Sequence, residues 1–338
     1  MSAADQEQDP VRAEVERFVG RRLGPYMSYN AISRAQIWQW CSALSDQNPR
    51  YLPEGGPAIA PPAMMQAWTM RDSHFRYAPG SVGDEPFEVL QVFRELGYGA
   101  NVAVSYDISF HRYVSEGDRV HSYSTIVSIT ELKKTALGEG YFVIERAEYL
   151  DQDNGCFAEA TISYFAYKPA ASAQDTQESD TGATERPEPP AASENGALTC
   201  NTGPFPAASA GLELPPLPIP VTATLIVAGA VASQDFTEVH HDHAQAREAG
   251  MPDIFMNILT TSGLCARYLT DWAGPKATLK TLSFRLFAPN TPGDCMRFTG
   301  AIDDVSEDGG TTQVEVSFKG SNSLGLHVAG KATLADTP

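Results

Sequence analysis

Cysteine is scarce and unpatterned in this chain. Cys41, Cys156, Cys200, Cys265 and Cys295 are odd in number and contain no C-x-x-C. That argues against a disulfide framework or a zinc ribbon and for reduced thiols; no metal site is read from the sequence. Long apolar runs are missing as well. No stretch approaches the length of a membrane span, and the start, Met-Ser-Ala-Ala-Asp-Gln-Glu-Gln-Asp-Pro, is too polar and acidic for a signal peptide. The expected location is the cytoplasm, with no membrane partner. Positive charge is in deficit: 24 Lys and Arg stand against 42 Asp and Glu, a formal charge of -18. Nonspecific attachment to nucleic acid or to an anionic membrane is therefore disfavoured, although local basic groups can still meet an anionic ligand.

What is present is enough to build two ordinary domains. Of the 338 residues 42% are apolar and 9% aromatic, a globular rather than disordered composition. One segment departs from it. Residues 169–206 are rich in Ala, Ser, Thr, Pro, Glu and Asp, and too poor in large apolar side chains to offset chain entropy. It reads as a disordered acidic tether between a first unit, residues 1–168, and a second, residues 207–338. Joining two units on one chain raises their effective concentration.

The two units read as repeats. Ser45-Asp46-Gln-Asn48-Pro49-Arg-Tyr51 in the first corresponds to Ser233-Gln-Asp235-Phe-Thr-Glu-Val-His240 in the second, so that Tyr51 falls where His240 falls. Each motif precedes an apolar helix candidate, Pro62–Met70 and Ile258–Leu269. Each helix candidate precedes four runs of alternating polarity that predict strands: 103–110, 120–130, 141–150 and 157–167, then 278–287, 295–305, 311–319 and 326–334. A sheet wrapped on one helix leaves an edge to cover, and two such units solve this by pairing edge to edge.

The most informative stretch is Asp235-Phe-Thr-Glu-Val-His240-His-Asp242, followed by Asn257 at the head of the second apolar helix. An acid, an imidazole and a helix start provide a base for water, an acid for carbon and a backbone donor for a developing oxyanion. Each residue also has a plainer reading. Asp235 and Asn257 suit helix caps, and Asp242 is read as the cap of a short helix over 244–249. His241 is read as exposed and structural. Tyr51, with an ordinary pKa of about 10, cannot act as a base near neutrality, so the first unit is read as lacking a second site. Met64, Met65 and Trp68 have two readings, lining of an apolar acyl tunnel or ordinary core packing.

These motifs resemble the MaoC-like dehydratase and (R)-specific enoyl-CoA hydratase family. Its pattern D-x-N-P-x-H-x-D is met at Asp235, His240 and Asp242, with Thr237 and Glu238 in place of Asn-Pro and Asn257-Ile258 in place of a His-Gly helix head. The first unit keeps Asp46, Asn48 and Pro49. The strings VHHD, DIFMNILT, RYLTDWAGP and GSNSLGLHV resemble the small catalytic subunit of the two-subunit actinobacterial steroid side-chain hydratases, and the first unit resembles the hotdog part of the larger subunit. The resemblance implies an α+β double hotdog. Its two antiparallel sheets would each wrap a central helix and join edge to edge in one continuous sheet.

For function, the resemblance implies hydration of a trans-2-enoyl-CoA with no cofactor, CoA being part of the substrate. His240 would deprotonate a water held against Asp235. Protonated Asp235 would deliver a proton to Cα, and both groups acting on one face give syn addition and an (R)-3-hydroxyacyl product. Asn257 would position the site and the Ile258 N–H would hold the thioester oxygen. A bulky, steroidal acyl group is expected. The same residues serve a 3-hydroxyacyl-thioester dehydratase in reverse, and a non-catalytic acyl-CoA-binding scaffold is the alternative of another class. A homodimer is the family expectation. An aldolase partner is not expected, since the zinc-ribbon and OB-type domain that serves one in the larger subunit has no cysteine pattern here.

Overall fold

The computed structural model of the chain describes residues 9–135, 137–169, 198–308 and 310–336. In the first unit the strands are β1 (Arg22–Met27), β2 (Ala100–Phe110), β3 (Val120–Ile129), the short β4 (Lys133–Thr135), β5 (Gly138–Asp151) and β6 (Cys156–Pro169). In the second they are β7 (Glu213–Val221), β8 (Ala277–Leu286), β9 (Asp294–Asp308), β10 (Thr311–Asn322) and β11 (Gly325–Asp336). All eight expected strands form; six are extended by one to a few residues, β3 ends one residue early and β8 is shifted by one. The β5–β6 turn falls on Asp153-Asn-Gly155, where the Asp151 carboxylate accepts the backbone N–H groups of Asp153 and Gly155 at 2.9 and 2.8 Å.

Together they make one 11-stranded sheet, in the order β1-β3-β5-β6-β2-β8-β11-β10-β9-β7, with β4 on β5. The seam between the units is the antiparallel pair β2–β8, in register from Ser105↔Arg285 to Ser109↔Thr281. Tyr106 and Phe284 face each other across it, edge to face at 6.0 Å. The edge-to-edge union expected from the repeat is therefore present, and one hydrophobic core runs through both units. The far edge β7 carries Pro215, Pro216, Pro218 and Pro220, which cannot donate to a further strand.

Among the described residues six α-helices accompany the sheet: α1 (Pro10–Val15), α2 (Arg34–Leu44), α3 (Glu88–Glu95), α4 (Ala223–Ala232), α5 (His243–Glu248) and α6 (Ile258–Ala273). Helix α6 is buried along nearly its whole length. Its small residues let two neighbours approach. A Cβ on Gly263 would lie 2.4 Å from Leu44 Cδ1 and 2.7 Å from Trp40 Cζ2 of α2, and a Cβ on Gly229 of α4 would lie 2.3 Å from Thr260 Oγ1.

Among the described residues the first unit has no counterpart of α6. Pro62–Met70, expected as a helix, is two 3₁₀ turns, Pro62–Met64 and Ala67–Thr69, closed by Met65 N–H to Pro62 C=O and Thr69 N–H to Gln66 C=O. Pro61 and Pro62 remove donors at its start, and by Met70 the backbone is extended. Residues 170–197 of the expected tether lie outside the described residues. Leu198–Pro206 are placed against the second unit, with Leu198 N–H on Pro216 C=O, Asn201 N–H on Asp271 C=O and Phe205 edge to face with Trp272. Among the described residues no helix is long and apolar enough to cross a membrane.

Candidate active site

Helix α4 delivers the first functional residue. It ends at Ala232, Gln234 takes a left-handed φ of 60°, and the Asp235 N–H closes the turn on Ala230 C=O at 2.9 Å. The reversal brings the Asp235 carboxylate over the start of α6. Its Oδ1 accepts from the Thr237 hydroxyl at 2.7 Å and the Thr237 N–H at 3.3 Å, and its Oδ2 accepts from Asn257 Nδ2 at 2.9 Å. Asn257 makes hydrogen bonds on both sides, to the helix and to the carboxyl group. Its Oδ1 caps α6 by accepting Thr260 N–H at 2.8 Å, while its amide donates to Asp235 and, at 3.0 Å, to the buried Ser233 hydroxyl.

His240 sits on a 3₁₀ turn, Glu238–His240, 7% exposed. Its Nδ1 lies 2.7 Å from Phe255 C=O. A carbonyl only accepts, so Nδ1 carries a proton, and in the neutral ring Nε2 is the nitrogen with the lone pair. That Nε2 lies 3.5 Å from Asp235 Oδ2, long for a direct hydrogen bond and suited to a water touching both. The Phe255 ring stands edge to face on the imidazole at 4.9 Å. The side chains keep limited exposure, 15% for Asp235 and 9% for His240, so the pair is enclosed but reachable.

The structure thus brings Asp235, His240 and Asn257 together, with Ile258 as the first residue of α6. The N–H groups of a helix's first turn lack intrahelical acceptors and sit at the positive end of its dipole. Asp242 caps α5 through Ala244 and Gln245 N–H, which holds its carboxyl below the ordinary range. His241 is exposed. Met64, Met65 and Trp68 are buried in the common core, and the 62–64 turn packs on α6. No hydrogen bond among the described residues links them to the Asp235–His240 pair. Ser233, Thr237 and the Phe255 carbonyl complete the site and were not singled out from the sequence. Ser233 and Thr237 carry the weak signal of polar neighbours in the motif; Phe255 acts through its main chain and has none.

His327, in the GLHV string, supports the first turn of α6. Its Nε2 lies 3.0 Å from Thr261 Oγ1 and its Nδ1 2.7 Å from Ala288 C=O, and burial pushes its pKa down to about 4. It is a neutral imidazole that fixes the helix bearing the site.

Residues 17–160 match the family described as the FAS1-like dehydratase domain region. The chain is 43% identical over 125 residues, 37% of its length and 94% of the relative's, to the 3-oxo-4,17-pregnadiene-20-carboxyl-CoA hydratase beta subunit of Mycobacterium tuberculosis. It is 31% identical over 158 residues to the alpha subunit named for the same activity in that organism, 44% of this chain. The chain spans about half the length of that alpha subunit, 49%. Among solved structures a MaoC-like dehydratase superposes with a TM-score of 0.67 at 19% identity, covering 96% of this chain and 99% of that one, which speaks to the fold alone.

Proposed function

Because the chain belongs to the MaoC-like dehydratase and enoyl-CoA hydratase family, a family of hydro-lyases, we propose that it adds water across the trans-2 double bond of a bulky 2-enoyl-CoA, syn and with (R) configuration at Cβ. The observation that carries this reading is the 3.5 Å approach of His240 Nε2 to Asp235 Oδ2, on a carboxyl group that is itself fixed by Asn257 and Thr237. The substrate is a CoA thioester with a steroid side chain, a reading supported by the names of the alpha- and beta-subunit relatives.

In this mechanism His240 Nε2 removes a proton from water. The hydroxide forms the C–O bond at Cβ, the C=C electrons move to Cα, and the thioester oxygen gains charge and accepts a hydrogen bond donated by the Ile258 N–H. Asp235, protonated, gives its proton to Cα. His240 then returns its proton to the Asp235 carboxylate, and the cycle closes without a cofactor. Run backwards, the same steps dehydrate a 3-hydroxyacyl thioester. In our reading residues 1–168 shelter the acyl group, residues 207–338 perform the chemistry, and the protein works in the cytoplasm as a homodimer without an aldolase. Exposed Trp38 and Val231, which flank an apolar groove between α2 and α4, support pairing of two copies.

The direct test is loss of the enoyl absorbance across a series from crotonyl-CoA to steroid side-chain enoyl-CoAs. Turnover rising toward the bulky end is expected. Absence of hydration across the whole series would reject the reading.

A further inference from the structure

The two oxygens of the Asp235 carboxyl are held unequally. A carboxylate offers about four lone-pair sites, two on each oxygen. Oδ1 accepts two donors, the Thr237 hydroxyl at 2.7 Å and the Thr237 N–H at 3.3 Å. Oδ2 accepts one, Asn257 Nδ2 at 2.9 Å, and its second site is left for His240 Nε2, 3.5 Å away, or for a water between them. The Asn257 amide cannot turn over. Its Oδ1 accepts the Thr260 N–H at 2.8 Å, and its Nδ2 also donates to Ser233 Oγ at 3.0 Å. Ser233 is fully buried and directs its own hydrogen at Gly229 C=O, 2.8 Å away, and Ala230 C=O, 3.1 Å away, so towards Asn257 it only accepts. Reversed, the amide would set its oxygen against the Asp235 carboxyl and its hydrogens against the Thr260 N–H.

A neutral carboxyl, the form that can give a proton to carbon, has one carbonyl oxygen and one hydroxyl oxygen. The carbonyl oxygen is the better acceptor. Two donors on Oδ1 against one on Oδ2 therefore make Oδ1 the carbonyl oxygen and put the proton on Oδ2. The first unit makes the same turn without this asymmetry. Asn48 stands two residues after Asp46 as Thr237 stands two after Asp235, but its side-chain Oδ1 accepts the Arg50 N–H at 3.1 Å. Among the described residues the Asp46 carboxyl is left with one donor, the Asn48 N–H at 3.1 Å.

We propose, resting on the hydratase reading above, that Thr237 is a positioning residue that places the acid's proton on Asp235 Oδ2, with Ser233 supporting it through Asn257. A single oxygen then serves both ends of the cycle. The Oδ2–H bond breaks as its proton joins the C=C electron pair at Cα, which leaves Asp235 a carboxylate. His240, having taken a proton from water at Nε2, returns it to the same Oδ2, the oxygen it approaches to 3.5 Å. A proton on Oδ1 would instead lie against Thr237, on the oxygen that does not meet His240.

Steady-state kinetics of the full chain on crotonyl-CoA and on a steroid side-chain enoyl-CoA test this. Thr237→Val keeps the branched shape and the backbone N–H at an exposed position and removes only the hydroxyl. It should lower kcat about tenfold with KM within about twofold of wild type, the scale of one hydrogen bond to an ionisable group that matters in the chemical step. Thr237→Ser, which restores the hydroxyl, should recover kcat to within about threefold of wild type, and Ser233→Ala should lower it about threefold. An unaltered kcat in Thr237→Val, equal losses in Thr237→Val and Thr237→Ser, or a rise in KM alone would overturn the proposal. Failure of the hydratase reading is distinguishable: the wild type then hydrates neither substrate and both readings fall, whereas an active wild type with an equally active Thr237→Val removes this one alone.

Discussion

At the backbone level the two units make the same turn, and only one of them leaves it chemically usable. Helix α2 ends as α4 does: Ser45 takes a φ of 53° where Gln234 takes 60°, and Asp46 N–H bonds Cys41 C=O at 2.8 Å where Asp235 N–H bonds Ala230 C=O at 2.9 Å. Asp46 Oδ1 accepts Asn48 N–H as Asp235 Oδ1 accepts Thr237 N–H. Tyr51 N–H and His240 N–H close equivalent 3.1 Å turns. The side chains then diverge. Tyr51 is 2% exposed, and burial raises its pKa well above the ordinary value. Burial, reinforced by Asp271, lifts Asp46 to about 7 against the opposing pull of Asn48 N–H and Arg267. Asp235 instead meets an imidazole lone pair and the amide of Asn257. A duplicated backbone carries the position of a site, while burial and the partner side chain decide whether it reacts.

The contrast is sharpest in turnover. Asp235→Asn and His240→Ala should each lower kcat on the preferred enoyl-CoA by about 10²- to 10⁴-fold, the range of general acid–base contributions, whereas Asp46→Asn and Tyr51→Phe should change it by less than about threefold. Steady-state kinetics on the four variants decides; equal losses from both pairs would mean that the first unit also reacts.

The next effect is on stability. Asp46 has a folded pKa above its unfolded one, so the unfolded chain releases the proton first. Its contribution is intact below about pH 4 and lost as pH rises toward 7. Asp46→Asn removes this dependence. Denaturant unfolding should show the variant gaining about 2 kcal/mol on wild type between pH 4 and pH 8, a figure reduced from the full shift because the side chain is only partly buried. An unchanged difference across that range would show that Asp46 is ionised in both states.

Smaller still is Asn257→Ala. Loss of the α6 cap should cost about 1 kcal/mol of unfolding free energy. Loss of the amide beside Asp235 should lower kcat about tenfold with little change in KM. A stability loss with unaltered kcat would confine Asn257 to capping.

Much of this was legible in the sequence because it depends on side chains at fixed spacing. Alternation in 120–130 and 311–319 gave β3 and β10, since one face of each strand is buried. The Asp235–His240 spacing pointed to the pair because both residues act through their side chains. The edge β7 was hidden, as four prolines disguise a strand that needs donors on one side only. Pro62–Met70 has helical composition but lacks the length and the free donors to close i→i+4 bonds. The Phe255 carbonyl that sets the His240 tautomer could not be read at all, because every residue type carries that group.

The central claim is that one imidazole and one carboxyl act on a single face of the double bond. Hydration of the preferred enoyl-CoA in D₂O, followed by NMR assignment of both new stereocentres, tests it most directly. The account predicts deuterium at Cα on the same face as the new Cβ hydroxyl, with (R) configuration at Cβ. Addition from opposite faces, or a mixture of the two, would contradict it.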